Sequence, residues 1–213
     1  MRTDRAFSLG AVLAFALTAC ARPIDVQTAV RPETDLQPYR SFSVLVPPAP
    51  RDGRVLDRDH PMLPNSTTNH ELRSAIVAGL WNRGYWLDER SPDLLVAFYA
   101  STQQPLDPTQ WNYGYGWRPQ WWQGCTGAPG AIATEYQAGT IIIDVLNARS
   151  GEVLWRGCGV AEHLDDVAAY RHDLAETVRG ILDEFPLATT VVARGPRLGP
   201  VRRGFSVASE SSR

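Results

Sequence analysis

The chain has 213 residues, 44% of them hydrophobic, and 21 basic against 23 acidic side chains leave a net charge of -2. Such a chain buries one sizeable core, so one domain is the expectation, and the near-neutral balance offers no footprint for nucleic acid. All 21 basic residues are arginine, which excludes Schiff-base and lysine-base chemistry.

Arg2 and Arg5 precede an apolar run over residues 7–17, too short to span a bilayer comfortably but suited to the core of a signal peptide over residues 1–19. The run ends in Leu17-Thr18-Ala19-Cys20. That tetrapeptide resembles the bacterial lipobox, in which the cysteine is acylated and becomes the mature N-terminus. Ordinary cleavage at a small-residue site and an uncleaved anchor are the alternatives. Three acyl chains on Cys20 would hold firmly, since one alone holds only marginally. Residue 21 is alanine rather than the aspartate that favours inner-membrane retention. The expected location is therefore the outer membrane, lipid-anchored and facing the periplasm.

Apart from Cys20, the cysteines are Cys125 and Cys158, an even pair in an oxidising compartment. A bridge between them would contribute on the order of 3 kcal/mol in the chain-entropy model. Two separately buried thiols are the alternative. Their spacing, with no neighbouring histidine pattern, is not a zinc signature.

Residues 20–38 are polar and punctuated by proline, a tether in which residues 24–30 alternate and form a possible edge strand. In residues 39–46, Phe42, Val44 and Val46 share one face, and the prolines after them end the strand. Residues 51–65 form a charged loop whose Asp52, Asp57, Asp59 and His60 are read as solvated rather than metal-bound. Thr68 and Glu71 fit a capping box, followed by Leu72, Ile76, Gly79, Leu80 and Arg83 at helical spacing and by Gly84 as terminator. A short strand is expected at 85–87. Residues 93–101 read as an inner strand, apolar on both faces.

Residues 102–137 have no period and gather Trp111, Tyr113, Tyr115, Trp117, Trp121 and Trp122 among glycine, proline and glutamine. Residues 139–160 read as a β-hairpin about a polar turn at 147–151, expected at the centre of the sheet. Asp165 and Asp166 cap a second helix with a stripe of Val167, Tyr170, Leu174, Val178, Ile181, Leu182 and Phe185, stopped by Pro186. Residues 187–213 have little to bury and are expected to be a disordered tail. The expectation is an α+β domain over residues 39–186: a mainly antiparallel sheet of four or five strands with two helices on one face, a two-layer sandwich.

Several short motifs in this order resemble a family of bacterial envelope lipoproteins known only as domain of unknown function 4136. They are Asp35 with Tyr39 to Phe42, Pro92-Asp93, Gly139-Thr140 with Asp144, Trp155-Arg156-Gly157, and Phe185-Pro186. The resemblance implies a compact α+β domain on a lipid tether and supplies no activity. The aromatic loop and the two further cysteines look like elaborations on the family pattern.

If the hairpin turn centres on Ser150, Asp144 and Arg156 face each other as a structural charge pair, with a ligand-binding arginine as the alternative. The loop tryptophans and tyrosines either cover a sheet face or present a binding surface to sugars, proteins or headgroups. No Gly-x-Ser-x-Gly, His-Glu-x-x-His, phosphate loop or dinucleotide fingerprint occurs. A thiol at Cys125 or Cys158 with His163 as base lacks any flanking motif. No cofactor, metal or catalytic residue is expected. The function read from the sequence is a non-enzymatic binding or scaffolding lipoprotein, with the membrane and an envelope protein or cell-wall component as partners. The alternatives are a small-molecule or lipid carrier using the aromatic loop as a lid, and an envelope hydrolase.

Overall fold

The structure, a computed structural model, describes residues 25–116, 119–122, 124, 125 and 136–188. The elements follow the order β1 (Val26–Val30), β2 (Ser41–Val44), α1 (Thr67–Asn82), β3 (Trp86–Leu87), β4 (Leu94–Ala100), β5 (Thr140–Asn147), β6 (Val153–Val160) and α2 (Val167–Asp183). The strands build one open sheet of six in the order β1-β6-β5-β4-β2-β3. The fold is α+β as expected, but six strands replace the expected four or five. The expectation of a mainly antiparallel sheet holds for three of the five pairings and fails at one end, where β2 runs parallel to both β3 and β4. The reason is α1, which lies between β2 and the two strands that flank it. A helical crossover returns the chain in its original direction.

Asp93 secures that parallel junction. One carboxylate oxygen accepts the Arg40 and Ser41 amides at 2.8 and 3.0 Å and the Ser41 hydroxyl at 3.1 Å, while the Asp93 amide donates back to Ser41 Oγ at 3.0 Å. The start of β4 is thereby tied to the start of β2. The hairpin is placed in the interior, with β5 between β4 and β6, and Asn147 organises its turn by accepting the Arg149 and Ser150 amides. β1 is an edge strand, antiparallel to β6.

The first helix starts earlier than the expected capping box. Ser66 is the N-cap, its hydroxyl accepting the Asn69 amide at 3.0 Å, and Thr68 is buried inside the first turn. A serine two positions upstream provides the same service without a glutamate at the third helical position. Asp166 caps α2 as expected, accepting the Ala168 and Ala169 amides. These bonds hold the Asp166 carboxyl below its usual pKa.

Leu72, Ile76 and Leu80 of α1 and Tyr170, Leu174, Val178, Ile181 and Leu182 of α2 are buried together with Phe42, Val96, Phe98, Ile143 and Trp155 of the sheet. α2 comes so close to β6 that a Cβ on Gly157 would stand 2.5 Å from the Ile181 side chain, and one on Gly159 would stand 2.8 Å from Thr177. Gly79 of α1 gives similar clearance to Leu182. Trp155 packs edge-on against Phe185 at 5.0 Å. Among the described residues no helix is long and apolar enough to cross a membrane. The expectations for residues 1–19, for Cys20 and for residues 189–213 of the tail lie outside the described residues.

Candidate functional site

Side chains alternate across a strand, so those that do not face the helices emerge on the opposite face. There the register pairs Ile142 with Cys158 and Asp144 with Arg156 across the hairpin, and Ala97 and Tyr99 of β4 stand beside Asp144 and Ile142. Asp144 and Arg156 are 0% and 1% exposed. Arg156 Nε donates to Asp144 Oδ1 at 2.5 Å and Nη2 to Oδ2 at 2.6 Å, a bidentate pair. The register that places them opposite each other is the one expected from the turn.

Tyr113, Tyr115, Trp121, Trp122 and Cys125 of the aromatic loop lie across this face. The Tyr115 hydroxyl donates to Asp144 Oδ2 at 2.6 Å and accepts from the Tyr99 hydroxyl at 2.9 Å. Tyr113 donates to the Phe98 carbonyl at 2.7 Å and meets Tyr99 edge-on at 5.3 Å. Trp122 covers the Arg156 guanidinium with 5.8 Å between its ring centre and the guanidinium carbon. Trp121 packs on Ala97, Leu146 and Val153. The far end is tied down by a disulfide between Cys125 and Cys158, with 6.0 Å between their Cα atoms, and by the Cys125 amide donating to Gln27 Oε1. At its base, Leu106 and Tyr136 bridge the two arms of the loop through paired backbone hydrogen bonds.

Burial and the Asp144 charge both drive the Tyr115 phenol well above its usual pKa, so it stays protonated and donating. Burial opposes the charge on Arg156, but the Asp144 carboxylate outweighs it and the guanidinium pKa rises. The result is an enclosed, charge-balanced network of carboxylate, guanidinium and two phenols. It can brace the sheet and roof it, and its acidic and basic groups are occupied with one another.

Of the side chains singled out in the sequence, Asp144, Arg156, Tyr113, Tyr115, Trp122, Cys125 and Cys158 are brought together here, and Trp121 sits beside them. Trp111 is buried near a different part of the loop, stacked on His60. Trp117 and Cys20 lie outside the described residues. Tyr99 was read from the sequence only as a strand residue. Its signal was its place two positions beyond Ala97 on the face opposite Phe98.

Of the acidic loop residues, Asp52 binds Arg54, and Asp59 binds Arg171 at 2.5 Å and accepts the Thr68 amide. His163 joins no thiol. It pairs with Asp173 at 2.6 Å beside a groove of about 730 Å³ at the end of β6. Asp25, Glu162, His172 and Glu176 also line that groove. Among the described residues no three His, Cys, Asp or Glu side chains are placed to hold a metal ion.

Fold and site together define a small α+β domain with a disulfide-tied roof over one sheet face. The chain belongs to the family described as Domain of unknown function (DUF4136), which it matches over residues 26–187. No curated protein matches it. Among solved structures, a DUF4136 family protein from Bacteroides thetaiotaomicron is 14% identical, covering 73% of this chain and 94% of its own, with a TM-score of 0.44. A PDZ domain protein from Parabacteroides distasonis is 16% identical, covering 78% of this chain and 36% of its own, with a TM-score of 0.39. The PelC dodecamer from Paraburkholderia phytofirmans is 9% identical, covering 78% of this chain and 99% of its own, with a TM-score of 0.36.

Proposed function

We propose that this protein is a non-enzymatic binding or scaffolding lipoprotein, anchored through acylated Cys20 at the periplasmic face of the outer membrane. In this reading the two helices and the sheet form a two-layer body, and the aromatic loop is a roof turned inward. The observation that carries the reading is where large apolar side chains remain uncovered. Trp81 at the end of α1 is 63% exposed, and Trp86 and Leu87 of the edge strand β3 are 48% and 43% exposed. Exposed aromatic side chains beside an open sheet edge favour contact with another protein or surface. The buried Asp144 and Arg156, by contrast, are bound to each other.

The test is photo-crosslinking in intact cells with the reactive residue at Trp86 or Trp81, and at Val55, which is 98% exposed on a loop, as the comparison. The expected result is capture of one envelope component from the first two positions and not from Val55. That capture is lost in Cys20→Ser, which also leaves the particulate fraction. Equal capture from all three positions would remove the surface from the proposal. Retention of Cys20→Ser with the membranes would remove the tether.

A further inference from the structure

A pit of about 100 Å³ opens between the loop after β2 and the first turn after β4, and shares no lining residue with the roof network or the β3 edge. Its rim is exposed and charged or polar, with Arg54, Asp57, Gln103 and Gln104, whereas its floor residues Ser101, Leu106 and Trp111 are buried. The floor holds two unsatisfied groups. Ser101 spends its amide on the Thr140 carbonyl and its own carbonyl on the Tyr170 hydroxyl, but its Oγ has no hydrogen-bond partner. The Trp111 indole Nε1 has none either, although the ring is set in place by the His60 imidazole stacked 6.2 Å away. Ser101 and Trp111 are 4% and 5% exposed. A buried donor left unsatisfied is costly, so two on one cavity floor call for an occupant.

The chemistry of the walls narrows the occupant. An indole nitrogen only donates, and a serine hydroxyl can donate. His60 also lines the pit, and its Nδ1 accepts the Met62 amide at 3.1 Å, which leaves the proton of the neutral ring on Nε2. Burial lowers the His60 pKa, while nearby Asp57 raises it and Arg54 lowers it, with a net depression that keeps the ring neutral at pH 7. The lining is therefore rich in donors, and of its two charged side chains Arg54 is already bound to Asp52, which leaves Asp57 as the charge facing an occupant. A carboxylate would gain the donors but meet Asp57, and an ammonium would find no use for them. A neutral group with a carbonyl oxygen, an N–H for the Asp57 carboxylate and a small apolar end for Leu106 and half-buried Leu56 answers every wall. A volume of this size holds about three waters, enough for a group of four heavy atoms.

We propose that this pit is a binding subsite for an acetamido group, the N-acetyl substituent of an amino sugar or of a peptide. The carbonyl oxygen lies toward Trp111 Nε1 and Ser101 Oγ, and the methyl toward Leu106. The site is independent of the lipid tether and of the β3 edge, so its failure would leave the scaffolding reading standing.

The experiment uses the full chain in detergent micelles with N-acetylglucosamine, N-acetylalanine methylamide, glucosamine and glucose as probes. Saturation-transfer NMR reads the acetyl methyl protons, and tryptophan fluorescence reads the protein. The expected result is transfer to the acetyl methyl, with affinity on the order of millimolar, and none to glucosamine or glucose. The stronger of the two acetylated probes tells sugar from peptide. Ser101→Ala and Trp111→Phe each weaken binding about tenfold while the thermal midpoint stays near that of the parent. If either variant fails to fold, the other carries the test. Absence of transfer from both acetylated probes, equal binding of glucosamine, or binding that survives both substitutions would overturn the proposal and leave a water-filled pit.

Discussion

The two faces of the sheet are covered by different physics. On one, helices whose backbones satisfy their own hydrogen bonds need only shape, and Gly157, Gly159 and Gly79 let Ile181, Thr177 and Leu182 settle into contact. On the other, a strap with almost no regular structure brings its own polar groups and side chains onto the sheet. It is held by discrete ties: Tyr113 to the Phe98 carbonyl, Tyr115 to Asp144, the Cys125 amide to Gln27, and a disulfide. Cover without secondary structure requires specific anchors, because buried peptide groups without partners are costly. The buried Asp144–Arg156 pair is one such anchor point, which explains how a fully desolvated charge pair can sit in the middle of an apolar sheet.

The largest expected effect comes from breaking that pair. Asp144→Ala leaves Arg156 charged and without its carboxylate, and removal of one partner from a buried pair costs about 3–5 kcal/mol. A fall of about 10 °C in the thermal midpoint is the expected reading for a domain of this size. A fall of one or two degrees would mean that the pair is not the anchor described. Reduction of the disulfide comes next. Its cysteines are 33 positions apart, which corresponds to about 3–4 kcal/mol in the loop-closure model. Because the tie holds the roof and not the helices, the Cys125→Ser, Cys158→Ser double variant should also make tryptophan emission from the strap more accessible to quencher while far-ultraviolet circular dichroism stays unchanged.

The helix face is broken by bulk rather than by lost ties. Gly157→Ala puts a methyl 2.4 Å from the Trp155 ring and 2.5 Å from Ile181, and overpacking of this kind costs about 1–3 kcal/mol. Chemical denaturation would read it, and a neutral result would show that α2 shifts freely. Smaller again is Ser66→Ala, which removes the cap of α1 at about 1 kcal/mol.

The smallest effect is a titration. Asp173, through its hydrogen bond and its charge, raises the pKa of exposed His163. A raised folded-state pKa means that the stabilisation is complete below the ordinary histidine pKa and is lost as pH rises through the raised value. An NMR titration of the His163 ring should show that elevation, and Asp173→Asn should remove most of it, with Glu162 and Asp166 still raising the value.

How much of this was legible in the sequence differs between the faces. The helices and the hairpin announced themselves through periodicity, because Leu72, Ile76 and Leu80, and Tyr170, Leu174 and Val178, repeat at the helical interval and the 139–160 segment brackets a polar turn. The Asp144–Arg156 register followed from counting outward from that turn. The parallel placement of β2 was not read, although a helix between two strands is its usual sign. Asp93 was visible as a motif and its bond to Ser41 was not. For the roof, residue type showed that aromatic rings gathered there, but only their positions showed which of them point inward.

The composition and local pattern of this chain determined the two helices, the hairpin, the Asp166 cap and the alternation that puts Asp144 and Arg156 on one face, because these depend on neighbours within one helical turn or one hairpin. The tertiary structure alone decided that β2 runs parallel to β3 and β4, that the aromatic strap lies over the charge pair, and that Ser101 and Trp111 share a pit. Those contacts join positions tens of residues apart, where no local periodicity records the encounter and only the closing of the chain brings the partners within reach.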